Sequence, residues 1–166
     1  MKRFSLYCTW DSFVRSIIVG ILFLLAVSCS HNEIFFEYYS FKKDGWDRKD
    51  AAIYHINIDN TTDLFDVSLE IRNNNNYPFR NIWLFVDFQP PGGNVRTDTV
   101  GVDLADVYGK WYGKGISLYS FTIPYKTSVH FPLKGTYTYS VRQGMRENPL
   151  IGISDIGLRI SKKIDQ

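Results

Sequence analysis

Leu64-Phe65-Asp66-Val67-Ser68-Leu69-Glu70-Ile71-Arg72 alternates apolar and polar side chains. Successive side chains of an extended chain leave on opposite faces. Val67, Leu69 and Ile71 therefore share one face, and Asp66, Ser68 and Glu70 the other. This period of two marks a strand with one dry and one wet face, as antiparallel sheets have. Tyr137, Tyr139 and Val141 against Thr138, Ser140 and Arg142 repeat the pattern near the other end of the chain.

Outward from residues 64–72, turn residues cut the chain into similar pieces. Asn73-Asn74-Asn75-Asn76-Tyr77-Pro78 reads as a loop, since Asn tolerates left-handed backbone and Pro interrupts a ladder. In residues 82–88, Ile82, Leu84, Val86 and Phe88 fill one face, but Trp83 and Phe85 make the other apolar too. That composition predicts a central strand, or one whose outer face is covered. Pro90-Pro91-Gly92-Gly93-Asn94 is a strong turn signal. Further strands are predicted at 34–41, 52–58, 95–104, 117–123, 127–131, 135–142 and 156–161. No amphipathic helix is expected beyond residue 34. The fold class is all-β: a single antiparallel β-sandwich, jelly-roll-like, of about eight strands over residues 34–163.

The first 28 residues read differently. Lys2, Arg3 and Arg15 precede an apolar stretch over residues 17–27, which closes on Leu25-Ala26-Val27-Ser28-Cys29. Charge, a short apolar core and small residues are the layout of a helical signal peptide. Eleven apolar residues fall short of the roughly 20 that span a bilayer. A cysteine directly after the small residues resembles the bacterial lipoprotein box. The resemblance implies cleavage before Cys29, lipid on its thiol and new amino group, and a short tether over residues 29–33.

Composition agrees with an exported domain. Three of the 19 Lys and Arg and one of the 17 acidic residues precede Cys29, so residues 29–166 carry 16 of each and are formally neutral. A neutral mature chain gives no electrostatic basis for nucleic-acid binding. Of the two cysteines, Cys8 would be removed and Cys29 acylated, leaving no disulfide and no thiol chemistry. Stability must come from the core, for which the 16% aromatic content is ample.

No catalytic constellation stands out. His31, His55 and His130 are far apart and form no metal-ligand spacing, so no metal is expected. Gly109-Lys110-Trp111-Tyr112-Gly113-Lys114-Gly115 lacks the Gly-Lys-Ser/Thr ending and a following helix, and reads as a shaped loop in which Trp111 packs. Ser154 lacks a nucleophile elbow. Asp87, Asp98, Asp103 and Asp106 lie within twenty residues, but more readily serve strand edges and turns than a glycosidase pair or a calcium loop. Trp46, Trp83 and Trp111 are candidate contacts for a partner or a glycan, and Arg142 and Arg146 for a partner surface. A glycan-binding sandwich needs an exposed, coplanar pair of these tryptophans.

Several ordered segments are similar to the gliding motility lipoprotein GldH family over residues 33–161. They are Asp44-Gly45-Trp46-Asp47, Asn81-Ile82-Trp83-Leu84-Phe85-Val86, Asp98-Thr99, Leu104-Ala105-Asp106 with the glycine-rich run 109–115, Gln143-Gly144-Met145-Arg146, and Leu150-Ile151-Gly152-Ile153 continuing to Ile160. The resemblance implies a lipoprotein of Bacteroidota-type bacteria, associated with gliding and with type IX secretion machinery. It offers no enzymatic site and no cofactor beyond the lipid. The expected role is a scaffold with envelope protein partners, and the alternative is a surface glycan binder. Ser30 after the cysteine favours the outer membrane, and with Glu33 the first acidic residue beyond it, the periplasmic face is favoured over the cell surface.

Overall fold

A computed structural model describes residues 32–42 and 44–163; the expected signal peptide over residues 1–28 and the expected lipid site at Cys29 lie outside them. The strands are β1 (Glu33–Ser40), β2 (Ala52–Ile58), β3 (Leu64–Asn74), β4 (Asn81–Gln89), β5 (Arg96–Asp103), β6 (Leu118–His130), β7 (Gly135–Gln143) and β8 (Ile153–Lys162). They form two four-stranded sheets, in the orders β1-β8-β3-β6 and β2-β7-β4-β5. Every pairing is antiparallel. The pairs β1·β8, β2·β7, β3·β6 and β4·β5 nest inside one another, which is the jelly-roll wrapping of one long folded ribbon.

The core is the set of inward positions that alternation specifies. Val67, Leu69 and Ile71 of β3 lie beside Ile156, Leu158 and Ile160 of β8, all buried. From the second sheet, Ile82, Leu84 and Val86 of β4 and Tyr137, Tyr139 and Val141 of β7 meet them. Tyr54 spans the layers, its hydroxyl donating to the Ile156 carbonyl at 2.7 Å. Burial raises the pKa of this phenol, which therefore stays neutral.

Three boundaries differ from the expectation by more than one residue, the simplest being β8, which begins at Ile153 rather than at 156. Residues 117–123 and 127–131 join into the single strand β6, although Pro124 lies between them. Among the eight strands β6 bonds only to β3, and its bridge to Lys114 lies at Ser120, so at Pro124 no donor is removed from a two-sided ladder. The register shifts near Val67, and Ser128 takes a positive φ of 55° while its amide donates to Asp66 Oδ1 at 2.8 Å. β3 also runs on through Asn73 and Asn74, which were expected to lie in a loop. Asn73 is held from both sides, by Tyr119 and Ile153, and that pairing outweighs the turn preference of asparagine.

Antiparallel order fixes which connections share an end. The starts of β1 and β3 and the ends of β6 and β8 lie together, as the pairs Glu33 with Ser161 and Leu64 with His130 show. That end also holds the connections 59–63, 90–95 and 131–134. The opposite end holds the connections 41–51, 75–80, 104–117 and 144–152. At this long-loop end Trp46 is fully buried, its ring 4.2 Å from that of Phe41 and its indole N–H donating to the Asp50 carbonyl at 2.8 Å. Trp46→Ala should cost about 3–5 kcal/mol, the range for large aromatic truncations. Equilibrium urea unfolding measures this, and a near-neutral change would contradict a core role for Trp46.

Candidate functional site

The four connections at the long-loop end are stitched into one ordered cap. Trp46 and Leu150 exchange backbone hydrogen bonds of 2.9 Å, joining the first connection to the last. The Arg48 guanidinium donates to the carbonyls of Met145 and Arg146 at 2.8 and 2.9 Å. The Arg80 carbonyl accepts from the amides of Leu104 and Ala105 at 2.7 and 3.1 Å, joining the middle two connections. Trp111 Nε1 donates to Asn75 Oδ1 at 3.1 Å. Gly152 packs so closely that a β-carbon there would stand 2.2 Å from the Tyr77 amide nitrogen, and its φ of +84° excludes most other residues.

The connection 104–117 carries the most exposed apolar groups of the cap. Its first half is a small hairpin in which Ala105 pairs with Trp111. Asp106 Oδ1 accepts from the amides of Tyr108 and Lys110, both at 2.9 Å, and so caps the turn from within. Trp111 is half-buried, with its ring near those of Tyr77 and Tyr119 at 6.3 and 6.1 Å. Val107 and Tyr108 on the first turn and Ile116 on the turn between Lys114 and Ser120 are 74, 92 and 93% exposed. The shaped loop was legible in the sequence but these exposed side chains were not. The available signal was apolar residues flanking the glycine-rich run 109–115.

On the outer face of the second sheet, Trp83 and Phe85 stand in solvent at 48 and 37% exposure. Trp83 lies opposite Gly101, where a β-carbon would meet the indole at 2.5 Å. The glycine thus lets the ring lie flat on the sheet. Arg142, opposite Phe85, donates to Asp87 Oδ2 at 2.9 Å, and Asp87 Oδ1 accepts from Thr97 Oγ1 at 2.6 Å. Arg146 is exposed on the connection 144–152, away from this ion pair. The structure therefore does not gather the candidate contacts into one patch. Trp46 offers no face to a ligand because the core encloses it, Trp111 is turned inward, and only Trp83 presents its ring broadly. The coplanar exposed pair needed for a glycan platform is not formed by these three.

The four aspartates do not converge either. Asp87 faces outward from β4, whereas Asp98, opposite Val86, faces the space between the sheets. Asp103 pairs with Arg80 at 3.6 Å, and Asp106 caps its turn. Asp98 closes the β5–β6 side of the sandwich by accepting from Tyr125 at 2.6 Å and pairing with Lys126 at 2.8 Å. Beside it is a cleft of about 340 Å³ with Phe88 and Tyr139 among its walls and Arg96 at its rim. Among the described residues no group of His, Cys, Asp and Glu is placed to hold a metal ion. His55 contacts Thr138 Oγ1 at 3.1 Å on the outer sheet face. No helix among the described residues is long and apolar enough to cross a membrane.

Residues 33–160, which include the whole cap, match the family model described as GldH lipoprotein. The chain belongs to the GldH lipoprotein family. It is 32% identical over 155 residues to the gliding motility lipoprotein GldH of Flavobacterium johnsoniae, covering 87% of this chain and 96% of that one. It is 31% identical over 147 residues to the gliding motility lipoprotein GldH homolog of Christiangramia forsetii, covering 84 and 90%. A solved fructofuranosidase from Schwanniomyces occidentalis overlays 82% of this chain and 35% of its own at 13% identity, with a TM-score of 0.39, too loose to carry any argument. The segments that carry the GldH resemblance map largely to one place. Those at 44–47, 104–115, 143–146 and 150–153 lie in or beside the cap, and 81–86 begins there.

Two substitutions test the geometry. Gly101→Val should lift the Trp83 indole off the sheet, raising acrylamide quenching of tryptophan fluorescence, and the rise should vanish in a Trp83→Phe background. The hydrogen bonds from Lys126 and Tyr125 hold the Asp98 carboxyl below its ordinary value of 3.8, against partial desolvation. A depressed carboxylate stabilises the fold above its unfolded pKa and loses that contribution as pH falls through the folded one. Asp98 is about half exposed, so solvent screens the effect. Asp98→Asn should accordingly flatten a modest acid-side loss of stability, measured by urea unfolding between about pH 5 and pH 2.

Proposed function

We propose that this chain is an outer-membrane lipoprotein, held by lipid on Cys29 at the periplasmic face. In this reading it acts without catalysis, as an interaction component of the envelope machinery for gliding and type IX secretion. The observation that carries the reading is the polarity of the sandwich. Its first strand begins at one end, and the ordered cap with most family segments lies at the other. Residues 29–33 extend at most about 17 Å. The 13-residue strand β6 alone runs roughly 40 Å at 3.3 Å per residue. A lipid at Cys29 therefore keeps the first end within that reach of its bilayer.

The relatives' names support the motility association, and several acyl chains suit stable anchoring. Dispersal of the four aspartates into separate structural contacts supports the non-enzymatic role. The surface glycan-binding reading has Trp83 but no second exposed tryptophan among the described residues to stack with it.

Mass spectrometry of the protein from outer-membrane fractions should find an N-terminal peptide beginning at Cys29 and carrying acyl mass. An unmodified Cys29 overturns the anchoring. A membrane-impermeant amine reagent should label the exposed lysines only after the outer membrane is opened. Labelling on intact cells would place the domain on the surface instead.

A further inference from the structure

We propose that the cleft between β5 and β6 is a binding site for a small apolar carboxylate, an acid group carried on an aromatic body. The site lies apart from the cap and does not depend on how the chain is anchored. Three observations converge on it.

The first is an unpaired phenol in its wall. Tyr54, Tyr77 and Tyr137 are buried, and each hydroxyl donates to a backbone carbonyl. Tyr139 is buried alike, at 3% exposure, yet its hydroxyl has no hydrogen-bond partner among the described residues. Buried polar groups are ordinarily paired, and one left open costs stability. Among the described residues only Asn73 Nδ2 is both unpaired and sealed from solvent. The Tyr139 oxygen is unpaired but not sealed, and the space that Tyr139 lines is the cleft. Burial above all, with Tyr137 and Asp98 nearby, raises the pKa of this phenol, so it stays neutral and offers an O–H donor.

The second is charge. The charged side chains lining the cleft are Arg96, Asp98 and Lys126. Asp98 Oδ2 already takes the Lys126 ammonium at 2.8 Å and the Tyr125 hydroxyl at 2.6 Å. Arg96 has no ion-pair partner among the described residues. Two cations against one carboxylate leave a single positive charge, on Arg96. One carboxylate balances that charge and matches the guanidinium fork. A phosphate monoester brings about −1.5 to −2 at pH 7, and its excess would face Asp98.

The third is shape. By register Tyr139, Phe88 and Arg96 form one row across the second sheet, and cross-strand partners share a face. Tyr125 and Val129 of β6 line the cleft from the other sheet. The edges of β5 and β6 are not bonded to each other, so the cleft is open to solvent between them. Its volume of about 340 Å³ is at the small end of ligand pockets, which run roughly 300–1,000 Å³. The aromatic walls take the apolar body, Arg96 takes the acid, and the Tyr139 hydroxyl donates to one of its oxygens.

The test titrates the full-length protein, in detergent and with isotope-labelled valine methyls, with hydrocinnamate. The Val129 methyl signals, assigned through Val129→Ile, should shift with a millimolar or tighter Kd, while those of Val107 on the cap should not. Arg96→Gln should weaken binding roughly ten-fold or more, and Arg96→Lys should restore part of it. Tyr139→Phe should weaken binding roughly three-fold or more. Hydrocinnamamide and phenyl phosphate should each bind more weakly than hydrocinnamate. Because the Tyr139 hydroxyl bonds nothing in the fold, Tyr139→Phe should not lower Tm. A tetrapeptide ending in a free phenylalanine carboxylate separates two sources of the same chemistry. Tighter binding than hydrocinnamate assigns the site to a protein C-terminus, and equal or weaker binding assigns it to a free acid. No Val129 shift at about 10 mM acid overturns the proposal. So does binding undiminished by Arg96→Gln or Tyr139→Phe, a preference for the amide or the phosphate, or a clear fall in Tm with Tyr139→Phe.

Discussion

Eight strands paired only antiparallel impose a parity on everything else in this molecule. Connections after odd strands must lie at one end and those after even strands at the other, and both described termini fall with the second group. The parity comes from hydrogen-bond geometry, since β1 bonds to β8 and β3 to β6 in fixed, opposed directions. The same nesting makes distant segments depend on one another. Glu33 meets Ser161, and Trp46 meets Leu150, so the first and last strands close the roll together. Such non-local closure requires the chain to pay loop entropy before its contacts reward it, which is the usual signature of slow β folding.

The two sheets treat exposed aromatic groups in opposite ways. On the first sheet, the Arg159 guanidinium lies 3.9 Å from the ring centre of Phe36, and that of Arg72 lies 3.8 Å from Tyr38. Arg159 also bonds Glu33, and its Nε donates to Glu70 Oε1 at 3.0 Å, so this face is a closed network of cations, carboxylates and rings. On the second sheet Trp83 rests on Gly101 with no cation above it among the described residues, and Arg142 is committed to Asp87. Both β1 and β4 read as aromatic-rich segments. Only the partners brought across the sheet by register make one face satisfied and leave the other available.

The cap depends on this framework more than on its own propensities. Glycine and asparagine permit its turns, but hydrogen bonds between connections hold its shape, from Arg48 to the carbonyls of the last connection and from Leu104 to Arg80. The outcome is an end surface whose connections are hydrogen-bonded to one another, on a domain whose described aspartates do not converge.

Side-chain periodicity made much of the fold legible locally. The alternation at Val67, Leu69 and Ile71 and at Tyr137, Tyr139 and Val141 identifies strands and their buried faces, because period two is a property of each extended segment alone. The joining of β6 across Pro124 was not legible, since a proline is tolerated there only because β6 is an edge at that point. The candidate site was legible in part, since the glycine-rich run marks a shaped loop. Whether a tryptophan is core or surface was not written in its spacing. Trp46 is enclosed by Phe41 and Leu150, Trp111 is turned toward Tyr77 and Tyr119, and Trp83 is left open on Gly101. Local order within a strand follows from consecutive residues, whereas burial follows from which distant strands meet, and only the assembled roll decides that.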